Sequence, residues 1–272
     1  MAPTAGLRMM REEQERVAGI ALLFLRARAT LNDMVKRRGD IRGIPFAELD
    51  AFVENELFDL KEECHWLFRS QERADVMEAS SAMLFDILVG SLFHQCMKTK
   101  ENAYQVERYE PKYDALRKAL QRPNAPKHVE GFLREGERII DRARRALLRE
   151  FNYAVELFDD ACVVLRRVLA EHRDSPLLAR TLLDNDALVE AVYGQPGRGG
   201  SGAPSSLELL LNEMYDGHPV TGYILAASDL YEGGWYERAR ELCKRARKLD
   251  PKNKQAAQLL NKVNAAAHAH LG

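Results

Sequence analysis

The chain has 272 residues, enough for one large domain or two modest ones and for a true core without disulfides or metals. Its 46% hydrophobic and 30% charged content argues against both a disordered tail and a membrane protein. Lys and Arg (40) nearly balance Asp and Glu (41), so attraction to nucleic acid or anionic lipid is not a property of the whole chain. Leu and Ala far outnumber Val, Ile and Thr, which favours helix over sheet.

Cys64, Cys96, Cys162 and Cys243 are far apart and form no C-x-x-C pair, so they read as free thiols in a reducing compartment. The apolar run Ala18 to Leu25 follows Glu12, Glu13 and Glu15 and precedes Arg26 and Arg28. That flank is wrong for an export signal, and the run is too short to span a bilayer. A cytoplasmic protein with no membrane partner is expected.

The readable periodicity is helical throughout. Val17, Ile20, Phe24, Ala27, Leu31 and Met34 or Val35 draw one stripe, closed by Gly39 and Gly43. Pro45 suits the first turn of a second helix, whose stripe is Phe46, Leu49, Val53, Leu57, Leu60, Cys64 and Leu67. A third helix is expected from Asp75 to Arg108, ahead of Pro111. Its centre, Ala82 to Phe93, is apolar on every side except Asp86 and Ser91, the mark of a surrounded helix. A short helix over 113–120 then leads to a break at Pro123 and Pro126.

The longest periodic stretch, Val129 to Leu169, is striped by Leu133, Ile140, Leu147, Phe151, Ala154, Phe158 and Leu165. It is either one continuous helix or two helices kinked near Asn152. Two short helices follow, one after Ser175 and one after Asp184 or Asp186. Residues 194–206 hold five glycines and two prolines and read as a flexible linker between a bundle domain (1–193) and a C-terminal module (207–272). Ser205 and Glu208 form a capping box that opens a helix over 207–215. Three more helices are expected over 219–232, 235–248 and 251–268. The overall expectation is all-α: an antiparallel bundle of long helices followed by a short hairpin module.

Within that module, Tyr223, Ala226, Ala227 and Leu230 on one helix precede Ala239, Cys243, Ala246 and Pro251 on and after the next. Small residues let two helices cross closely, and the bulky ones fill the wedge between them. In this spacing, residues 220–253 resemble a tetratricopeptide repeat, with Leu230 and Cys243 where the family more often places aromatics. The resemblance implies a protein-binding concave face on the first helix, here Thr221, Ile224, Ser228 and Tyr231. The second helix and the start of the third hold eight Lys and Arg against Glu237, Glu241 and Asp250. Arg238 and Arg245 are the candidate contacts there to an acidic partner surface.

Other chemistry is thinly represented. Glu62 and His65 make a single E-x-x-H, whereas a di-iron bundle needs two. Cys64, His65, His94 and Cys96 could supply zinc ligands only if two helices met in register. Asp86, inside an apolar stretch, needs a partner. Arg134, Arg138, Arg142, Arg145 and Arg149 recur at steps of three and four and form one row. Their preferred partner is the acidic second helix (Glu48, Asp50, Glu54, Glu56, Asp59, Glu62, Glu63), within one chain or across a homodimer. A nucleic acid is the alternative partner for that row.

No G-x-S-x-G, phosphate-binding glycine loop or H-E-x-x-H occurs, and Asp159-Asp160 lacks the third aspartate of a metal–diphosphate motif. The expectation is a non-enzymatic adaptor or scaffold without cofactor or metal. A nucleic-acid-associated regulator is the second reading, and a metal-dependent helical enzyme the third.

Overall fold

A computed structural model describes residues 5–37, 45–72, 81–121, 129–194 and 204–271. Among them every regular element is helical. The order is α1 (Ala5–Arg37), α2 (Phe46–Phe52), a π-turn (Val53–Leu57), α3 (Phe58–Glu72), α4 (Ser81–Leu120) and α5 (Val129–Glu171). There follow α6 (Pro176–Asp184), α7 (Asp186–Tyr193), α8 (Ser206–Met214), α9 (Val220–Glu232), α10 (Tyr236–Leu249) and α11 (Lys254–Leu271). The stops at Gly39 and Gly43, the start at Asp75, the break at Pro123 and Pro126, and linker residues 195–203 lie outside the described residues.

The chain gathers into two compact units, one of Met1–Ala29, Glu63–Phe85 and Cys162–Gly272, the other of Thr30–Glu62 and Asp86–Ala161. Gly194 and residues 204–206 fall within the first.

The second unit is an antiparallel bundle, and its cross-helix contacts give the register. Thr30 and Arg37 of α1 meet Glu56 and Glu48 at 3.0 and 2.9 Å, running opposite to each other. Phe46 packs on Tyr104 at 5.3 Å, Lys100 bridges Asp50 (2.6 Å) and Glu54 (2.8 Å), and Phe58 faces Phe93 at 6.4 Å. Gln95 donates to the Glu150 carbonyl at 3.0 Å, Glu110 pairs with Arg144, and Tyr113 lies against Gly136. The two carboxylates around Lys100 hold its ammonium pKa above the usual lysine range, through hydrogen bonds that outweigh its desolvation.

Of the expected stripe of the second helix, Leu49, Val53, Leu57, Leu60, Cys64 and Leu67 are in the core and Phe46 is half-buried, with one addition. The π-turn takes an extra residue per turn, and the Phe58 N–H reaches back to the Val53 carbonyl. Consecutive residues Phe52 and Val53 are therefore both buried, and Phe52 packs on Phe158 at 6.3 Å. On α1 the choice between Met34 and Val35 falls to Met34, which is buried while Val35 is exposed.

Two expectations fail on α4. The helix does not stop before Pro111 but runs through it to Leu120. Proline removes one backbone hydrogen bond and crowds the preceding turn, a cost of about 3 kcal/mol. The contacts on either side, Glu110 with Arg144 and Tyr113 on Gly136, hold the helix across that defect. Nor is the apolar centre surrounded. Phe85, Val89 and Leu92 are buried at ordinary helical spacing, while Met83, Leu84 and Ile87 are exposed. Apolar composition around a helix shows what could be buried, and the number of packed neighbours sets what is. Asp86 is half-buried.

Helix α5 runs unbroken through Asn152, so the stretch is one helix rather than two. Its 43 residues correspond to about 65 Å at 1.5 Å per residue.

In the first unit, the Arg16 guanidinium lies 3.2 Å from the centre of the Trp66 ring and pairs with Glu63 at 2.8 Å. Phe24 packs on Phe85 at 5.4 Å. His172, just past α5, shares a hydrogen bond with the Val168 carbonyl at 2.9 Å through Nδ1, and its Nε2 lies 3.5 Å from Glu13. Helix α6 opens where expected, with the Ser175 hydroxyl accepting from the Leu178 N–H and Pro176 in the first turn.

Candidate docking groove

The candidate site is built by α6 to α11, all within the first unit. Helix α8 starts at the expected capping box, where the Ser205 hydroxyl accepts from the Glu208 N–H and the Glu208 carboxylate accepts from the Ser205 N–H. It ends in a tight reversal at Asp216 (φ 50°) and Gly217 (φ 88°). At Gly222 the start of α9 approaches α8 closely, since a Cβ there would sit 2.8 Å from the Tyr215 ring and 3.0 Å from Leu211. Burial pushes the Tyr215 phenol up to about 12. The α9–α10 turn uses Gly234 at φ 79°, where an L side chain is strained, and the Trp235 N–H closes it on the Leu230 carbonyl at 2.8 Å.

The helix pair packs through the residues that the spacing singled out. Tyr223, Ala226, Ala227, Leu230, Ala239, Cys243 and Ala246 are all buried. Ala227 and Cys243 form one cluster with Leu260 of α11, and Leu230 and Ala239 another with Val263. Helix α11 therefore closes the far side of the hairpin. Helix α6 packs along α9, with Arg180 bonded to Asp229 at 2.6 Å.

The residues expected to bind a partner do not converge on one spot. Thr221 is exposed, while Ile224, Ser228 and Tyr231 are half-buried. Tyr231 packs on Tyr236 at 5.8 Å and borders the Leu230 cluster. Arg238 is committed to Asp184 at 2.5 Å. Arg245 lines a groove of about 630 Å³ between α7, the start of α8 and the end of α10. Leu207, Tyr223 and Leu249 supply its apolar surface, Asp186, Glu190 and Glu208 one charged flank, and Arg245 and Lys248 the other.

Burial raises the Tyr223 phenol pKa, Glu208 and Asp186 raise it further, and Arg245 opposes them. Two of the acids already serve the start of α8: Glu208 takes the Ser205 N–H and Glu190 the Ser206 N–H at 3.1 Å. Carboxylates are favoured there by the unpaired amides and the positive end of the helix. Arg245 and Lys248 make no ion pair among the described residues. The exposed Trp235 at the hairpin tip (63%) was not anticipated; its signal was a Trp directly after Gly-Gly.

The arginine row is placed as its spacing implies, but within one chain it does not pair with the acidic second helix. Arg134, Arg138, Arg142, Arg145 and Arg149 are exposed on α5, on the face opposite the Phe151–Phe158 stripe. Arg138 pairs with Glu135 at 2.7 Å, Arg149 with Glu150 at 2.7 Å, and Arg145 donates to the Asp141 carbonyl. The acids of α2 and the π-turn are taken instead by Lys100, Arg37 and Thr30. Packing by the apolar stripe turns the arginines away from the neighbouring helices, so the acidic helix is out of their reach. Tyr153, half exposed, continues the row one turn further.

Among the described residues no group of three or more His, Cys, Asp or Glu is arranged to hold a metal ion. Cys64, Cys96 and Cys243 are buried, and burial alone pushes the Cys96 thiol up to about 12 and that of Cys243 to about 11. No helix among the described residues is long and apolar enough to cross a membrane. No family model, curated protein or solved structure matches the chain.

Proposed function

We propose that this protein is a non-enzymatic, cytoplasmic protein-binding scaffold that engages its partner through the C-terminal helical module. The observation that carries this reading is the open groove of about 630 Å³ beside a hairpin whose small residues are spent on close helix crossing. The spacing that resembles a tetratricopeptide repeat supports the same reading, with Thr221 exposed and Ile224 and Ser228 half-buried on α9. Trp235 adds an exposed aromatic, the residue type enriched where partners bind tightly.

The test is capture of partners by the immobilised full chain, set against an Ile224→Ala, Tyr231→Ala double variant and a Trp235→Ala variant. Loss of the same captured protein in either variant, with unchanged helicity, supports the scaffold. Recovery of identical protein sets by wild type, both variants and an Arg245→Glu, Lys248→Glu groove variant removes the module from the binding event.

A second reading rests on the arginine row, five exposed guanidinium groups on one face of an unbroken helix, followed by Tyr153. A row of this kind can follow a phosphate backbone. It requires nucleic-acid affinity that falls steeply with salt and disappears in Arg138→Glu, Arg142→Glu, Arg145→Glu protein.

A further inference from the structure

The charge of this chain is unevenly distributed. Residues 244–272 contain seven Lys and Arg and the single acid Asp250, so the rest of a chain of net charge −1 carries a formal −7. Lys244, Arg245, Arg247, Lys248, Lys252 and Lys254 are all exposed, on the second half of α10 and the start of α11. Asp250 is half-buried on the connection between them, accepting from the Lys252 N–H and the Asn253 amide. Upstream on α10 the basic charges are neutralised, Arg238 by Asp184 and Arg240 by Glu237. The cations without an ion pair therefore begin at the groove, whose lining also holds Asp186, Glu190 and Glu208.

We infer that the groove takes an acidic peptide segment of another protein, with its carboxylates on Arg245 and Lys248 and an apolar side chain over Tyr223, Leu207 and Leu249. This rests on the scaffold reading and names the chemistry of the partner. Three features favour a peptide over a polyanion. Asp186, Glu190 and Glu208 on the opposite flank repel a continuous phosphate backbone or an anionic lipid surface. A peptide can present acids to one flank only and leave the other to its backbone N–H groups. The apolar lining, with Leu249 exposed and Tyr223 and Leu207 mostly buried, suits an apolar side chain and offers a phosphate nothing. The chain's own 195–203 segment contains Arg198 and no acid, the wrong sign for Arg245 and Lys248.

The experiment uses the full chain and short fluorescent peptides, read by polarisation. One peptide carries Asp and Glu flanking Leu and Phe, a second replaces the acids with Asn and Gln, and a third replaces Leu and Phe with Ser. Binding of the first alone, weakened by salt and roughly tenfold by Arg245→Glu with Lys248→Glu, supports the inference. The control, Lys252→Glu with Lys262→Glu, makes the same change in net charge on exposed residues outside the groove and should leave binding within about twofold.

Equal losses in both double variants would mean diffuse attraction and overturn the groove assignment. So would equal binding of the first and third peptides, or of single-stranded RNA or phosphatidylserine vesicles in place of peptide. Self-association of the wild type that the groove variant abolishes would give the surface to a second copy of the chain, and also overturns it. If the wild type captures a protein through α9 or Trp235 but binds none of the peptides, the inference fails and the scaffold stands. If nothing is captured by any route, both fail.

Discussion

The close crossing of α9 and α10 can be tested by filling it. Ala227 is fully buried against Cys243 and Leu260, so Ala227→Leu places extra methyl and methylene groups where there is no room. Helix propensity changes little between Ala and Leu, which leaves the steric term exposed. Overpacking of this kind costs about 1–3 kcal/mol. For a chain of this size that corresponds to a drop in Tm of roughly 2–4 °C per kcal/mol. The measurement is urea and thermal unfolding followed by circular dichroism at fixed protein concentration. Leu260→Ala alone removes a largely buried side chain and should cost about 2–5 kcal/mol. The double variant returns part of the lost volume to the same cluster, so its destabilisation should be smaller than the sum of the two single effects. An Ala227→Leu protein with unchanged midpoint, or a strictly additive double variant, would refute the claim that the crossing is limited by side-chain size.

Two further outcomes follow from the structure. Cys96 and Cys243 are held as neutral thiols, with pKa values pushed up to about 12 and about 11. Both should resist alkylation in the native protein at pH 8 and react freely in urea. The folded state keeps its protons longer than the unfolded one, so stability is intact below the free-thiol value of about 8.5. It should decline as pH rises from there towards the folded values, with a slope of at most about 1.4 kcal/mol per pH unit for each thiol. Pro111→Ala restores a backbone hydrogen bond within α4 and loses the entropic benefit of proline in the unfolded chain. The net should be stabilisation by about 2 kcal/mol, read as a higher urea midpoint.

Local signals in this chain are strong where a side chain meets its own helix. The Ser205–Glu208 box, the Ser175–Pro176 start and the Gly233-Gly234 turn are each recognisable in a few residues, because cap and turn geometry is satisfied within one turn of backbone. Spacing also located the interior of the α9–α10 pair. The failures share a different cause. Pro111 is a helix breaker until Glu110 and Tyr113 find Arg144 and Gly136 across the bundle. Pairing of the arginine row with the acidic helix fails within one chain because the apolar stripe of α5 decides which way the guanidinium groups face. The groove is less legible still, since Asp186, Leu207, Tyr223 and Lys248 come from four different helices.

Composition and period determined that this chain would be helical, where most helices would begin, and which small and large residues would meet in the C-terminal pair. These follow from backbone propensity and from burying one face per helix. Tertiary packing alone decided that α4 would pass through a proline, that Phe52 would join Val53 in the core through a π-turn, and which cations would stay unneutralised. Those outcomes depend on what lies opposite a residue in space, and the order of residues along the chain does not contain that neighbour.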